Sequence, residues 1–263
     1  MKKQKTNLNT SDLQQSDIAR LASKAMTDAS IHIRPSKSAV FDTVTGWLEN
    51  YSLSSKFTPD DALAHLVKKG VNGDAIIDHI IPNAARALGQ KWADDTLGFS
   101  DVTIGTSHLH LLLKRIINER EQELRDQDGK CVLVVVFCQE QHTLGALVLT
   151  DKLRRLGLSV KVEIGTTQEQ IVDLLHEQEF DAVLFSSAEN EITQQYADCI
   201  KSIHPKGEAR PLFALGGPIL YCDRIETIPN QFDVATNDLD VLIGNIDYRL
   251  PKLRKLRRLE GAK

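Results

Sequence analysis

The sequence lacks the features of a disulfide scaffold or a zinc protein. Its 263 residues contain only four cysteines, Cys131, Cys138, Cys199 and Cys222, and no CxxC pair occurs among them. Cysteines dispersed in this way are typical of a chain in a reducing compartment. We therefore expect a cytoplasmic protein.

Long apolar runs and an excess of one charge are also missing. No stretch approaches the ~18 apolar residues that would span a bilayer, and residues 1–17 begin with basic side chains but lack the apolar segment of a signal peptide. With 32 basic and 36 acidic residues the formal net charge is −4, which gives the whole chain no attraction to nucleic acid. We expect no membrane association and no direct DNA binding.

Patterns for enzymatic chemistry are absent too. The sequence has no paired carboxylates, nucleophile triad or zinc-ligand spacing, and the Gly-Gly at 216–217 is not followed by the Lys-Ser/Thr of a phosphate-binding loop. We therefore predict no catalytic residues, and a protein that is not itself an enzyme.

The first half of the chain has helical patterning. Residues 1–34 are polar and predict a flexible N-terminal tail, in which "TSDLQ" would at most cap a short helix. From 35 to 125 apolar residues recur at helical spacing, and Thr58, Pro59 and Gly70 are typical start and stop residues of one helix. Four or five short helices, each with one apolar face, predict a helical bundle.

After the charged linker "RDQDGK" the pattern changes to short apolar runs that alternate with helices. The runs are 131–137, 159–165, 181–187, 211–217 and 232–236. This alternation predicts right-handed βαβ units, and runs that are apolar throughout indicate a sheet covered on both faces. We predict an α/β fold with a doubly wound, five-stranded parallel sheet (Rossmann-like, flavodoxin-like) from 129 to 248.

The end of the chain, 249–263, is predicted to be a basic C-terminal tail. Three leucines recur there every three residues, which favours a terminal helix with a solvated basic face. Contacts of its arginines with phosphates or with a partner protein are the alternatives.

The candidate site is "CQEQHTLG", which follows the first predicted strand. His142 would lie at the carboxyl end of that strand, where ligands of such sheets bind. Glu140 is close enough to orient its imidazole, and Gly145 has no side chain to keep a bulky group from the backbone. The third and fourth strands are followed by Ser186-Ser187 and Gly216-Gly217, which would face the same crevice.

These motifs, in this order, resemble those of cobalamin-binding domains, which are Asp-x-His-x-x-Gly, Ser-x-Leu and Gly-Gly. The upstream segment "IIPNAARALGQKWADDTLGFSDVT" is similar to the helical cap that precedes such domains. A cap and a cobalamin domain without a DNA-binding domain resemble the PpaA/AerR-type antirepressors of photosynthesis genes.

The resemblance implies a role for each residue of the site. His142 would be the lower axial ligand of cobalt, with Glu140 hydrogen-bonded to it. Gly145 would leave room for the nucleotide tail of the cofactor, and Trp92 on the cap would cover the upper face of the corrin. The slot for the tail would be lined by Ser186 or Ser187 and, at close approach, by Gly216 and Gly217.

Three departures from the family pattern stand out. Glu140 replaces the aspartate, and Ser-x-Ala replaces Ser-x-Leu. Light-sensing repressors with this cap have Glu-His nine residues after the tryptophan, where this chain has Val102 and Thr103, and Ala93 directly follows Trp92. Their light-triggered bis-histidine arrangement is therefore not carried over.

The resemblance implies a sensor that binds adenosyl-, methyl- or hydroxocobalamin and modulates a PpsR/CrtJ-type DNA-binding repressor in response to light or cofactor state. Three alternatives stay open. The chain could be a corrinoid methyl-carrier subunit of a methyltransferase, a haem sensor on the same fold with His142 on iron, or a domain that has lost its cofactor.

Overall fold

The computed structural model describes residues 37–121, 129–203, 210–221 and 228–260. The predicted N-terminal tail and the short helix of "TSDLQ" lie outside these ranges. The first described part is a bundle of helices, the cap. Its elements are α1 (Lys37–Ser52), α2 (Pro59–Lys68), α3 (Gly73–Ala75), a π-helical segment (Ile76–Ile80), α4 (Ile81–Ala93) and α5 (Phe99–Glu121).

Local sequence signals fix the ends of the cap helices. The Thr58 hydroxyl accepts a hydrogen bond from the Asp61 amide at 3.1 Å, Pro59 is the first residue of α2, and Gly70 follows it with a φ of +82°, as predicted. Pro82 lies in the first turn of α4, directly after the π-helical segment. Proline has no N–H to donate to the preceding turn, and the helical run 73–93 continues past it with the π-helical segment in place of a regular α-turn.

The second part is a five-stranded parallel sheet, as predicted. The strands are β1 (Cys131–Phe137), β2 (Ser159–Thr166), β3 (Ala182–Ser186), β4 (Leu212–Gly216) and β5 (Val234–Ala235), in the order β2-β1-β3-β4-β5. The helices are α6 (Leu144–Arg155), α7 (Gln168–Glu177), α8 (Asn190–Ser202) and α9 (Leu239–Glu260). This is the doubly wound flavodoxin-like order, whose switch point lies between β1 and β3.

The central strand β1 is buried on both faces. Leu133 and Val135 pack into the core that includes Tyr196 of α8, whereas Val134 packs into the core that includes Leu153 of α6 and Ile246 of α9. Successive side chains of a strand point to opposite faces, so each face of β1 needs its own apolar residues. This explains the uninterrupted apolar run "CVLVVVF".

The predicted basic tail begins in the middle of α9. Leu253 is buried there, and two arginines of the same helix bind acidic side chains at the amino end of the sheet. Arg249 lies 2.8 Å from Asp233, and Arg257 lies 3.2 Å from Asp181. Within the described residues, no helix is long and apolar enough to cross a membrane.

Candidate functional site

Glu140 and His142 form a hydrogen-bonded pair at the carboxyl end of β1. One carboxylate oxygen of Glu140 accepts hydrogen bonds from the backbone amide of His142 at 2.8 Å and from its Nδ1 at 2.7 Å. The other oxygen accepts from the Ala188 amide at 2.7 Å. The Glu140 side chain is 1% exposed and that of His142 is 58% exposed. The carboxylate is therefore internal and the imidazole faces outward.

The hydrogen bond between Glu140 and His142 fixes the tautomer of the imidazole. The hydrogen bond to Glu140 raises the pKa of His142, although partial burial opposes the change. Burial acts to raise the pKa of Glu140, but hydrogen bonds from the His142 ring and from the amides of His142 and Ala188 outweigh it and lower that pKa. Because a carboxylate only accepts, Nδ1 carries the hydrogen and Nε2 is the atom that can bind a metal. No described residue donates a hydrogen bond to Nε2.

Tyr196 joins the ends of the two strands that flank the switch point. Its hydroxyl accepts from the Phe137 amide at 3.1 Å and donates to the Ser186 carbonyl at 2.9 Å. The side chain is fully buried, and burial raises its pKa far above the ordinary value, so the hydroxyl keeps its proton. Tyr196 thus fixes the spacing between the His142 loop and the loop after β3.

The two serines after β3 have different surroundings. The Ser187 hydroxyl donates to the Glu189 carbonyl at 2.9 Å and accepts from Thr193 at 3.0 Å, and the residue is fully buried. It stabilises the turn into α8. Ser186, the last residue of β3, lies at the carboxyl edge itself, with its hydroxyl beside Gly217. Of the two, Ser186 is therefore the one that borders the crevice.

The Gly-Gly pair is held against its neighbours by close backbone contacts. A Cβ on Gly217 would lie 2.4 Å from the Ser187 carbonyl oxygen, and its φ is +105°, a conformation that favours glycine. Asn237 makes two hydrogen bonds with the backbone of Gly217. Its side-chain oxygen accepts from the Gly217 amide at 2.8 Å, and its side-chain amide group donates to the Gly217 carbonyl at 2.9 Å. The Ser187 amide donates to the Gly216 carbonyl at 3.0 Å. The β3, β4 and β5 loops are thereby joined in a row.

Gly145 has the opposite surroundings. It is exposed in the first turn of α6, and a Cβ placed on it would meet no atom within 4 Å. The absence of a side chain there leaves open space beside the His142 loop instead of permitting a tight turn. An added group can reach the backbone of α6 at this point.

The structure brings seven of the eight predicted residues to one edge of the sheet. They are Glu140, His142, Gly145, Ser186, Ser187, Gly216 and Gly217. Trp92 lies apart on the last turn of α4, 53% exposed, and no hydrogen bond or ring contact among the described residues joins it to the His142 loop. Phe99, which begins α5 after a short turn, is 73% exposed at the same end of the cap. Both aromatic rings are thus more exposed than buried, among exposed polar residues such as Asp94 and Asp95.

The two histidines of α5 have different partners. His108 stays within the cap, where its Nδ1 contacts the Ser52 carbonyl at 2.6 Å and its ring stacks on Phe57. His110 reaches out of the cap, and its Nε2 lies 3.1 Å from the hydroxyl of Thr143. Thr143 directly follows His142, so the cap touches the candidate site through His110.

Sequence reasoning missed four residues that organise the site, namely His110, Thr143, Tyr196 and Asn237. Their partners are distant in the chain or specific to the fold, so no short motif marks them. Asn237 alone had a local signal, because it directly follows the fifth predicted run, at the edge where ligands bind.

Comparison with solved structures defines the fold. The monomethylamine corrinoid protein of Methanosarcina barkeri superposes with a TM-score of 0.61 at 15% identity, over 77% of this chain and 94% of that chain. A cobalamin-binding protein of Desulfitobacterium hafniense DCB-2 gives a TM-score of 0.36 at 14% identity over 75% of this chain and 92% of that one. The chain has the fold of corrinoid proteins, a helical cap followed by a Rossmann-like domain.

A protein relative then defines the family. The 20.5 kDa protein in the bchF-crtJ intergenic region of Rhodobacter capsulatus is 34% identical over 168 residues, which are 63% of this chain and 87% of the relative. The chain belongs to the family of that protein. No family model matches the sequence.

Proposed function

We propose that the chain is a cobalamin-binding regulator that acts through a partner protein. The observation that carries the proposal is the Glu140–His142 pair at the switch point of the sheet. A buried carboxylate holds Nδ1 at 2.7 Å and turns Nε2 outward. A histidine whose second nitrogen is fixed by a carboxylate is the usual form of a metal-ligating imidazole.

The residues around the pair fit cobalamin. Because a corrin ring itself supplies four nitrogen ligands to its cobalt, the protein would need to supply only one more, and His142 Nε2 could be that ligand. The open space at Gly145 suits a long tail that passes the His142 loop, whereas Gly217 is packed against the backbone of Ser187 and leaves no such space. Haem has no nucleotide tail, and the open space at Gly145 therefore favours cobalamin over haem.

The cap offers a surface for the other face of the cofactor. Trp92 and Phe99 are both more than half exposed, and burial of such side chains against a macrocycle is favourable. When bound, cobalamin supplies a cobalt centre whose upper ligand can be exchanged, or lost on illumination. A change of that ligand would alter how these aromatic residues pack and, with them, the surface that the cap presents to a partner.

The family relative supports a regulatory role. Its gene lies between bchF and crtJ, as its name states, and that location suits a PpaA/AerR-type regulator of photosynthesis genes. The partner in this proposal is a DNA-binding repressor of the PpsR/CrtJ type. Regulation would operate through protein contact, without direct binding of this chain to DNA.

The test is the affinity for such a repressor, measured with and without hydroxocobalamin or adenosylcobalamin, in the dark and after illumination. We expect the affinity of the wild-type chain to change with the state of the cofactor, and that of the His142→Ala variant to stay at the cofactor-free value. Equal affinities of the wild type under all conditions would refute the regulatory proposal.

A corrinoid carrier of methyl groups is the second candidate. It is favoured by the shared fold with the monomethylamine corrinoid protein. A carrier of this kind could use His142 as the lower ligand of its cobalt in the same way as a regulator. Incubation of the cob(I)alamin form with a methyl donor and its methyltransferase separates the two roles. Rapid methylation of the bound cobalt and onward transfer to an acceptor would favour the carrier.

A further inference from the structure

The cap and the His142 loop meet in one specific hydrogen bond. His110 of α5 has its Nδ1 2.9 Å from the carbonyl of Thr106 and its Nε2 3.1 Å from the hydroxyl of Thr143. A carbonyl only accepts, so Nδ1 carries the hydrogen and Nε2 of the neutral ring accepts the hydroxyl hydrogen. The contact is partly buried, where hydrogen bonds are less exposed to competition by water.

Thr143 occupies a position where a threonine normally has another partner. It is the residue before the first turn of α6, and a threonine there usually accepts a hydrogen bond from an amide of its own helix. In this chain its side chain makes no such bond, and its backbone is helical, with φ −91° and ψ −22°. The hydroxyl is directed to the cap instead. The side chain of the residue next to His142 is thus tied to α5, while its backbone carbonyl accepts from Leu147 of α6 at 3.2 Å.

The helix that begins at this point is packed along the cap. Val148 of α6 is buried in the core of the cap, with Leu144 and Leu147 packed beside it. At the far end Arg155 binds Asp78 of the π-helical segment. The cap therefore holds α6 at both ends and in its middle, and His110–Thr143 is the contact made by the residue directly after His142.

We propose that His110 is a positioning residue for His142. It holds Thr143, and through Thr143 it sets the place of the His142 loop relative to the cap. The inference rests on the proposed cobalamin function, because its consequence is a coupling between the cap and the lower ligand of cobalt. A movement of α5 reaches His142 through this bond, and a movement of His142 on binding a metal reaches the cap in the same way.

The test removes the hydrogen bond with little change in shape. Thr143→Val deletes the hydroxyl, Thr143→Ser keeps it, and His110→Ala deletes the acceptor. His108→Ala is the matched control, because His108 lies two residues away on the same helix and contacts only groups inside the cap. Two readouts are needed: amide hydrogen exchange of the peptide 138–147 in the cofactor-free protein, and the dissociation constant for hydroxocobalamin.

We expect Thr143→Val and His110→Ala each to speed exchange of that peptide and to weaken cobalamin binding about fivefold, the equivalent of ~1 kcal/mol. The double variant should be no weaker than either single variant, since both remove the same bond. Thr143→Ser should behave as the wild type, and His108→Ala should leave the exchange of the peptide unchanged.

The inference is overturned if Thr143→Val leaves both the exchange and the affinity as in the wild type while His142→Ala still loses its lower ligand. That result would leave the proposed function standing. If instead the wild type binds no cobalamin, the proposed function fails, and the exchange of the cofactor-free variants still decides whether His110 holds the loop.

Discussion

Glu140 is the residue on which the geometry of the site depends most. Its carboxylate accepts three hydrogen bonds, two from His142 and one from the amide of Ala188. It therefore orients the imidazole and also ties the β1 loop to the β3 loop. The sequence predicted the first role, since the spacing Glu-x-His is typical of it, but the bond to Ala188 spans 48 positions of the chain and has no local signal.

We expect Glu140→Gln to weaken cobalamin binding by about 10- to 100-fold, the usual effect of removing the partner of a ligating histidine. The amide cannot accept from all three donors, so the free energy of unfolding of the cofactor-free protein should fall by about 1–3 kcal/mol. An absorbance titration and urea unfolding measure the two effects. The exposed Gln141, as Gln141→Ala, is the control, and an unaltered affinity of Glu140→Gln would contradict the role given to the pair.

Gly145 and Gly217 should respond to substitution in opposite ways. Gly145→Leu adds a side chain to open space, so the fold should keep its stability while cobalamin binding falls at least tenfold. Gly217→Ala puts a Cβ against the backbone of Ser187 at a φ of +105°, and should cost about 1–3 kcal/mol of stability. Thermal unfolding and cobalamin titration of both variants make the comparison. Unimpaired binding by Gly145→Leu would rule out a tail at this point.

At the scale of elements, α9 closes the amino end of the sheet with two similar clusters. Asp181 accepts from the amide of Cys131 at 2.9 Å and binds Arg257, while Asp233 accepts from the amide of Phe213 at 2.8 Å and binds Arg249 and Arg210. Each aspartate directly precedes one strand, and its side chain accepts a hydrogen bond from a backbone amide of the neighbouring strand. The second half of α9 is thus a part of the sheet domain.

The Asp233 cluster predicts a dependence of stability on pH. Burial opposes ionisation of this carboxyl, but hydrogen bonds from Arg210 and the Phe213 amide lower its pKa below the ordinary value. Its contribution is therefore complete above the unfolded pKa of about 4 and is lost as the pH falls through the lower folded value. We expect Asp233→Asn to be less stable than the wild type by about 1–3 kcal/mol at pH 7.

That difference should shrink progressively below about pH 5. Urea unfolding across a pH series measures it, with the exposed Asp173→Asn as control. A difference that stayed constant down to pH 2 would show that the charge of Asp233 has no part in the effect.

The elements themselves were largely predictable from the sequence, for identifiable reasons. The run at 131–137 coincides with β1 because both faces of that strand are buried, and α2 was marked by Thr58 and Pro59. The leucine spacing favoured a helix at the end of the chain, but the ion pairs of Arg249 and Arg257 were harder to foresee, since their aspartate partners are distant in the sequence. The position of Trp92 relative to His142 depends on the packing of cap against sheet, which no motif encodes.

At the scale of the whole molecule, α6 joins the cap to the sheet domain. Its first turn follows the candidate ligand, its middle is buried in the cap core, and its last turn carries an ionic cluster with the cap. Arg155 binds Asp78 of the cap, and it also binds Asp151 of its own helix, at 2.8 Å. Because Asp78 lies in the π-helical segment, this cluster links the irregular turn of the cap to the far end of α6.

Arg155→Met should therefore loosen the cap from the sheet domain. The variant keeps the apolar stem of the side chain but removes the guanidinium group that binds Asp78 and Asp151, and we expect a loss of about 1–3 kcal/mol of stability. Amide exchange should rise in residues 73–93 more than in β1 or β3. Arg86→Met, on an exposed arginine whose partner Asn83 lies within the cap, should cause neither change. Equal amide exchange of residues 73–93 in Arg155→Met and Arg86→Met would exclude α6 as the link between the cap and the sheet domain.

The lower ligand of cobalt is the central claim, and electron paramagnetic resonance of bound cob(II)alamin tests it most directly. The unpaired electron couples to the axial nitrogen, which splits each line into a triplet for ¹⁴N and a doublet for ¹⁵N. In protein labelled with ¹⁵N at histidine only, we predict doublets, and in the labelled His142→Ala variant their loss. Triplets in the labelled wild type would mean that the cofactor's own base holds the cobalt, which would contradict the role of His142.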